Sequence, residues 1–503
     1  MSKQSSSRAA WVRVLALVIV FLLLAGIVFS SIVSLAEETA ADHYDLQLEI
    51  LPSEQAVHVV QTLDYTNRTG NTLENMFFSV YANILRRQTT VPVESDRFDD
   101  AFPEGYAPGG VDFIRVEFNG EAAEWGVQGD SELFMRVECS LAPGERGQFL
   151  FEFYVLLPVY SGAMGAGDLT WRLTNFYPAA AVWDEYLGDF PLEGYTAMNE
   201  PLHSDCADYH ITLSLPETYA LAAPGTIRAT PDGKGMVHYD IIASSVREAA
   251  LIFSRKMTER TGTTSAGTPV RALGNTASSA SALLESALNA LNSLEERLLP
   301  YPWERLTLIE TEYLYEGLSY PGVIQVSQAL CAPFEGSALE KAIYNLCAQQ
   351  YFGAAALNSR NAEPWLSDAL SAYVTLLRLT DGTDDAAYLA AFNRQILPSL
   401  QITIPGGVTV DSPAERFTSR TEYEIVVIDR GCVILHDMRQ SMGHEYFFEG
   451  LREYLRRTWM RPAYAADFLA AMNQVSGRRW DEYLYGQMHN MNDFVGQDIE
   501  WYE

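Results

Sequence analysis

The sequence has few basic residues and few cysteines. Among 503 residues, 34 Lys and Arg stand against 65 Asp and Glu, which gives a formal net charge of -31 at pH 7. A chain this acidic repels a phosphate backbone, so nucleic acid is not an expected partner. The five cysteines are too few for a disulfide-rich scaffold, and none lies in a CxxC pair or another zinc-knuckle spacing.

Histidine is scarce as well. The eight histidines never lie three or four residues apart, so no helix presents two of them on one face to a metal ion. Motifs for other chemistries are missing too, because the sequence has no G-x-S-x-G, no G-x-x-x-x-G-K-[ST] and no G-x-G-x-x-G. The sequence therefore lacks the usual signatures of α/β-hydrolases, P-loop nucleotide hydrolases and dinucleotide-binding enzymes.

One long apolar run stands near the N-terminus. Residues 1–13 carry three basic side chains, residues 14–36 carry no charge, and Glu37 follows directly. As a helix, residues 14–36 would extend over roughly 35 Å, which is enough to cross a bilayer. We expect a basic cytoplasmic segment, a single membrane anchor and an extracytoplasmic remainder at the cell membrane. A cleaved signal peptide is the alternative, because residues 34–36 form a small-residue cleavage site.

The region from 37 to 257 has the pattern of an all-β domain. Apolar and polar residues alternate in short runs that are separated by turn residues such as Asn119-Gly120. The predicted strands are Tyr44–Ile50, His58–Tyr65, Phe113–Phe118, Gln148–Leu156, Tyr209–Leu215 and Ala249–Phe253.

A change in composition and period follows. Residues 258–280 are rich in Thr, Ser, Gly and Ala and are predicted as a linker. From 281 to 503 the apolar residues fall at helical spacing, interrupted by one strand-like run at Leu306–Glu310. The fold class predicted is therefore multidomain α+β, with a mostly helical α/β second domain.

Three segments of the second domain carry a family resemblance. They are Tyr315–Gly322, Asn345–Gly353 and Trp365–Ala372. They resemble the exopeptidase motif, the His-Glu-x-x-His helix and the Trp-Leu-x-Glu segment of the membrane alanyl aminopeptidase family of zinc metallopeptidases, the gluzincins. Further similar segments, in family order, are Leu173–Pro178, Asp205–Ile211, Asp429–Leu435 and Val475–Gly477. The resemblance implies a saddle-like β domain followed by a thermolysin-like domain, with a cleft between them.

The metal positions of that family are altered in this sequence. The two zinc histidines correspond to Asn345 and Gln349, and the zinc glutamate corresponds to Asp368. Neutral amides are poor zinc ligands, and Asp368 is one methylene shorter than glutamate. The general-base glutamate corresponds to Leu346, which cannot accept a proton. The resemblance thus implies zinc for the family and no cofactor for this degenerate chain.

The substrate-binding positions are altered as well. The glutamate that holds a substrate's amino terminus in the family corresponds to Ser319, and the oxyanion tyrosine corresponds to Ile428. The residues predicted to contact a peptide lie around the exopeptidase-like segment, namely Tyr315, Gly317, Leu318, Ser319 and Tyr320. For the tyrosines, packing in the core or in the wall of the cleft is the default interpretation, and a peptide-binding rim is the alternative.

These observations predict a membrane-tethered, extracytoplasmic pseudoenzyme that binds peptides or a protein partner through a retained cleft. One alternative is an active zinc aminopeptidase with a non-standard site. A further alternative is a structural ectodomain of a membrane complex.

Overall fold

The computed structural model describes residues 41–489, apart from 130–131, 186, 199, 202–203, 256, 333–335, 384 and 405–406. The predicted membrane segment, residues 14–36, lies outside the described residues. Among the helices of the described part, none combines the length and the hydropathy that crossing a bilayer requires.

The first domain is built from β-sheets in which most neighbouring strands run antiparallel. Its strands are β1 (Asp42–Leu51), β2 (Ala56–Thr66), β3 (Leu73–Ser79), β4 (Gly110–Phe118), β5 (Glu121–Ala122), β6 (Trp125–Gln128), β7 (Phe134–Leu141), β8 (Arg146–Leu156), β9 (Gly165–Ala166), β10 (Thr170–Leu173), β11 (Ala179–Ala180), β12 (Ala207–Pro216), β13 (Tyr219–Ala222), β14 (Thr226–Pro231), β15 (Met236–Val246) and β16 (Leu251–Arg255). An eight-stranded sheet has the order β14-β15-β12-β1-β2-β8-β4-β5. Two four-stranded sheets, β13-β16-β10-β9 and β11-β3-β7-β6, complete the domain.

The sequence predicted these strands from their alternation. Along β1, Tyr44, Leu46 and Leu48 are buried while the residues between them are more exposed. Phe149, Phe151 and Phe153 do the same along β8 and are fully buried. One face of the large sheet therefore forms the domain core, and the other face is polar. The six predicted strands correspond to β1, β2, β4, β8, β12 and β16.

The linker predicted at 258–280 is wrong. This stretch forms β17 (Thr258–Thr263), β18 (Pro269–Gly274) and the first turn of helix α1 (Ala277–Arg297). Its small residues serve packing, since a Cβ on Gly262 would lie 2.9 Å from Leu288 Cδ1 of α1. Thr276 caps α1, because its side chain accepts a hydrogen bond from the Ser279 backbone N–H at 3.0 Å.

The second domain combines a sheet with packed helices. The sheet order is β17-β18-β19-β21-β20, and a small pair joins β22 to β23. The remaining elements are β19 (Leu306–Thr311), β20 (Gly317–Tyr320), β21 (Val323–Ser327), α2 (Gly336–Tyr351), β22 (Ala356–Leu357), α3 (Asp368–Leu377), α4 (Ala386–Gln395), α5 (Gly431–Met442), α6 (His444–Thr458), β23 (Arg461–Pro462), α7 (Ala465–Ser476) and α8 (Asp481–His489). A one-turn helix, Arg420–Tyr423, and a π-helical stretch, Glu424–Arg430, lead into α5.

Buried ionic contacts hold the two domains together. Arg172 of β10 is fully buried, and its Nη1 donates to Glu312 Oε2 of the second domain at 2.8 Å. Arg247, which is 1% exposed, donates through Nη1 to the carbonyl oxygens of Gly353 at 2.7 Å and Asn358 at 3.1 Å. The candidate site lies next to this junction, because Gly353 follows α2 directly.

Candidate functional site

Helix α2 presents the two altered metal-ligand positions on one side. Asn345 and Gln349 are four residues apart, so they share a helix face, and both are half-buried. Asp368 is the first residue of α3, which packs against α2. The helix that carries Asn345 and Gln349 therefore packs against the helix that begins at Asp368.

The Asp368 carboxylate is committed to protein hydrogen bonds. The side chain is buried, with 7% of the residue exposed. Its Oδ2 accepts from the Tyr423 hydroxyl at 2.7 Å, and its Oδ1 accepts from Ser367 Oγ at 3.1 Å. Each oxygen of the Asp368 carboxylate therefore has a hydrogen-bond donor from the protein.

Gln349 is committed in a similar way. Its Oε1 accepts from Arg360 Nη2 at 3.1 Å, so a guanidinium cation lies against the second metal-ligand position. At the first position, Asn345 Oδ1 is buried and has no hydrogen-bond partner among the described residues.

Leu346, at the general-base position, is a packing residue. It is 4% exposed, and a Cβ added to Gly317 of β20 would lie 2.7 Å from its Cδ1. The glycine lets β20 lie close to α2, which is a structural reason for that residue.

These residues do not fit a zinc ion. Zinc takes imidazole, thiolate or carboxylate ligands, and this donor set holds two amides and one carboxylate that is bound elsewhere. Within the described part of the chain, no group of three or more His, Cys, Asp or Glu is arranged to hold a metal. No step of a reaction through zinc follows from this geometry.

Gln350 of α2 forms hydrogen bonds to the exopeptidase-like segment. It is fully buried and donates through Nε2 to Ser319 Oγ and, at 2.8 Å, to the Tyr320 carbonyl. Its Oε1 accepts from the Tyr301 hydroxyl at 2.9 Å and from the Gly322 N–H at 3.0 Å. Ser319 in turn donates to the Leu346 carbonyl at 2.9 Å.

The predicted substrate-binding residues divide into two groups. Ser319 and Tyr320 are each 1% exposed and belong to the interior. Tyr315, Gly317 and Leu318 remain half-buried and can meet a ligand.

The Tyr315 ring lies close to two arginine side chains at the edge of the site. The guanidinium carbon of Arg420 lies 4.4 Å from the ring centroid, and that of Arg97 lies 5.7 Å from it. The Tyr315 hydroxyl is buried without a hydrogen-bond partner among the described residues, and burial raises the pKa of Tyr315. Glu94 Oε1 accepts from the Arg420 backbone N–H at 3.1 Å. One loop of the first domain therefore reaches onto the second domain here.

Sequence reasoning missed Tyr423. The family's oxyanion tyrosine was aligned with Ile428, yet Ile428 packs partly buried against the domain core. The hydroxyl that reaches Asp368 belongs to Tyr423, five residues earlier. The intervening Glu424–Arg430 stretch is π-helical, and a π-turn changes which side chains share a face. Counting residues at α-helical spacing does not find such a tyrosine.

Buried carboxyls surround the domain junction close to the site. Burial raises the pKa of Glu200 to about 7 and that of Glu248 to about 8. Asn175 donates to both, through its side chain to Glu200 at 2.8 Å and through its backbone N–H to Glu248 at 2.6 Å. Burial also lowers the pKa of Arg247, to about 10. The first domain thus supplies buried titratable groups to the junction.

Comparison with solved structures defines the class of the fold. The M1 zinc metallopeptidase from Deinococcus radiodurans matches with a TM-score of 0.62 and 18% identity, over 90% of this chain and 94% of that chain. A variant of a two-domain M1 zinc metallopeptidase bound to L-tryptophan matches with a TM-score of 0.61 and 18% identity, over 91% and 94%. A variant of the Deinococcus radiodurans enzyme bound to a Tyr-Ser-Ala substrate matches with a TM-score of 0.59 and 17% identity, over 90% and 94%.

The chain therefore has the two-domain fold of M1 zinc metallopeptidases. No model of a known protein family matches the sequence, and no curated protein does. At 17–18% identity the likeness establishes the fold, and the chemistry has to be argued from the residues themselves.

Proposed function

We propose that this chain is an aminopeptidase-like pseudoenzyme that binds a peptide, or a peptide segment of a protein partner, without hydrolysing it. One observation carries the proposal: the metal positions are occupied by side chains that are engaged with protein groups. Gln349 holds Arg360, Asp368 holds Tyr423, and Leu346 provides no base. This arrangement offers a zinc ion no suitable set of ligands, and it offers a zinc-bound water no proton acceptor.

The half-exposed edge of the site supports a peptide ligand. The Tyr315 ring lies close to two guanidinium groups, and Gly317 and Leu318 lie on the adjacent edge strand β20. An edge strand offers unpaired backbone groups, which an extended peptide can pair with. Solved structures of this fold include complexes with L-tryptophan and with a Tyr-Ser-Ala substrate, and this favours peptides as the ligand class.

The proposed setting is the outer face of the cell membrane. Residues 14–36 support an anchor through their length and lack of charge, and the basic residues before them support a cytoplasmic N-terminus. Detergent-dependent extraction of the full chain, and protease access from outside the cell, test this setting. Release into the medium as a shortened chain would instead indicate a cleaved signal peptide.

Binding without turnover is the testable consequence. The tripeptide Tyr-Ser-Ala should raise the melting temperature of the purified chain and remain intact by mass spectrometry. The Tyr315→Ala variant should lose most of the shift, because it removes the ring that Arg97 and Arg420 contact. Tyr485→Ala is the matched control, since Tyr485 is 68% exposed on α8 and should leave the shift unchanged.

Two results would contradict parts of this proposal. Hydrolysis of the tripeptide or of aminoacyl chromogenic substrates, abolished by a chelator, would contradict the loss of chemistry. A melting temperature that no peptide changes would contradict the binding role and leave the structural-ectodomain alternative.

A further inference from the structure

Arg360 stands in the segment that joins α2 to α3. It is 4% exposed, and its Nη2 lies 3.1 Å from Gln349 Oε1. Gly353 lies beside it with a backbone φ of +134°, and a Cβ on this glycine would meet Ser367 Cβ at 3.2 Å and would be in ordinary contact, at 3.5 Å, with Arg360 Nε and Nη2. A buried guanidinium thus lies against the second metal-ligand position.

The short distance between Arg360 and Gln349 disfavours a metal ion at this position. A zinc ion bound to a ligand atom at the Gln349 Oε1 position would sit about 2.1 Å from that atom. It would then lie no more than about 5 Å from Arg360 Nη2. Two cations this close repel strongly where little water is present to screen them.

Arg360 also influences titratable groups of the first domain. The positive charge of Arg360 lowers the pKa values of Glu200 and Glu248, in opposition to the larger effect of burial. It also lowers the pKa of Arg247, so two buried cations influence each other at this junction. The acidic groups that face the site therefore already have cationic neighbours from the protein.

We infer that Arg360 is the resident cation of this site, which holds Gln349 in place and excludes zinc by its charge. The inference rests on the proposed function, because it explains why the scaffold is stable without a metal. It makes a specific prediction: restoring the metal-ligand side chains is not enough to restore zinc binding.

The experiment restores the ligands and then varies one charge. The background is Asn345→His, Gln349→His and Asp368→Glu in the full chain. Arg360→Met is added in one protein and Arg360→Lys in another, so that the neutral and the charged side chains have similar length. The zinc dissociation constant is measured by competition with a chromophoric chelator. We expect at least tenfold tighter zinc binding with Met than with Lys or with the native arginine.

Equal zinc affinity in the Met and Lys proteins, or no zinc binding in either, would overturn the inference. Melting temperatures verify that both proteins fold, and Arg360→Gln serves as a second neutral variant that retains an N–H donor. The wild-type chain separates the two proposals. Chelator-sensitive turnover by the wild type overturns the proposed function, whereas equal affinities in the variants beside an inactive wild type overturn the role of Arg360 alone.

Discussion

At the scale of the residue, small changes in side-chain chemistry account for the altered site. An amide in place of imidazole, as at Asn345 and Gln349, replaces a good zinc ligand with a weak carbonyl donor. Asp368 keeps a carboxylate, yet its oxygens accept from Tyr423 and Ser367. By contrast, Gln350 has become part of the interior and connects four neighbouring groups.

Gln350 gives a stability prediction at this scale. Replacing it with Leu removes the acceptor of the Tyr301 hydroxyl and the Gly322 N–H and the donor to Ser319 and Tyr320, and each buried group left unpaired costs about 1–3 kcal/mol. We expect urea unfolding to show a loss of about 3 kcal/mol or more.

The matched control for that experiment is Gln328→Leu, because Gln328 is exposed. It should change the free energy of unfolding by less than about 0.5 kcal/mol. If the two variants were equally stable, the hydrogen-bond network around Gln350 would not have the structural role described above.

Sequence reasoning predicted best those features of the site that are set by residues close together along the chain. The spacing of Asn345 and Gln349 predicted one shared helix face, and the structure has these residues on a helix that packs against the helix beginning at Asp368. It did not find the partners Arg360 and Tyr423, which reach the site across a loop and through a π-helical turn. Contacts of that kind depend on tertiary geometry that no local period encodes.

At the scale of the element, the alternation of apolar and polar residues predicted strands correctly. The small-residue composition of 258–280, by contrast, led to the wrong prediction of a linker. Strands β1, β2 and β8 have one apolar face, so a period of two identifies them. The residues of β17 and β18 are mostly small or polar, because β17 is an edge strand and α1 packs closely against it. Small residues that serve packing resemble a flexible segment when they are read as composition alone.

The large sheet carries an ionic cross-link on its polar face. His210 of β12 lies between Asp45 of β1 at 2.6 Å and Asp240 of β15 at 3.0 Å. Arg228 of β14 approaches Asp240 at 3.9 Å. The hydrogen bond from His210 to Asp45 is the main reason that the pKa of His210 is raised.

This cross-link predicts a pH-dependent contribution to stability. Because the folded pKa of His210 exceeds the unfolded value, its contribution is complete below about pH 6.5 and is lost as pH rises through the folded pKa. The His210→Asn variant should therefore lose more melting temperature at pH 5.5 than at pH 8.5.

His238→Asn is the control, since His238 faces the same side of the sheet and bonds to Ser214 at 2.6 Å without a carboxylate at that nitrogen. An effect of His210→Asn that is constant from pH 5.5 to pH 8.5 would contradict the cross-link.

At the scale of the whole molecule, the site depends on a fixed junction between two domains. Glu312 of the second domain accepts from Arg172 Nη1 at 2.8 Å and from the Thr170 N–H at 3.0 Å of the first domain. Arg247 ties the loop after α2 to the first domain. The junction is therefore held by buried contacts that the net charge of -31 does not reveal.

Removing one partner of this junction should be costly. Glu312→Leu leaves Arg172 buried without its carboxylate, and breaking a buried pair in this way costs about 3–5 kcal/mol. We expect a lower urea midpoint and faster proteolysis at the junction. Glu316→Leu, at an exposed position, is the control, and a similar small change in both variants would contradict the role of the pair.

The zinc content of the purified wild-type chain tests the central claim most directly. The protein is produced in zinc-supplemented medium, and bound metal is measured by plasma mass spectrometry after desalting. The arrangement of Gln349 with Arg360 and of Asp368 with Tyr423 predicts far less than one zinc per chain. One zinc per chain, removed by a chelator together with aminopeptidase activity, would contradict it.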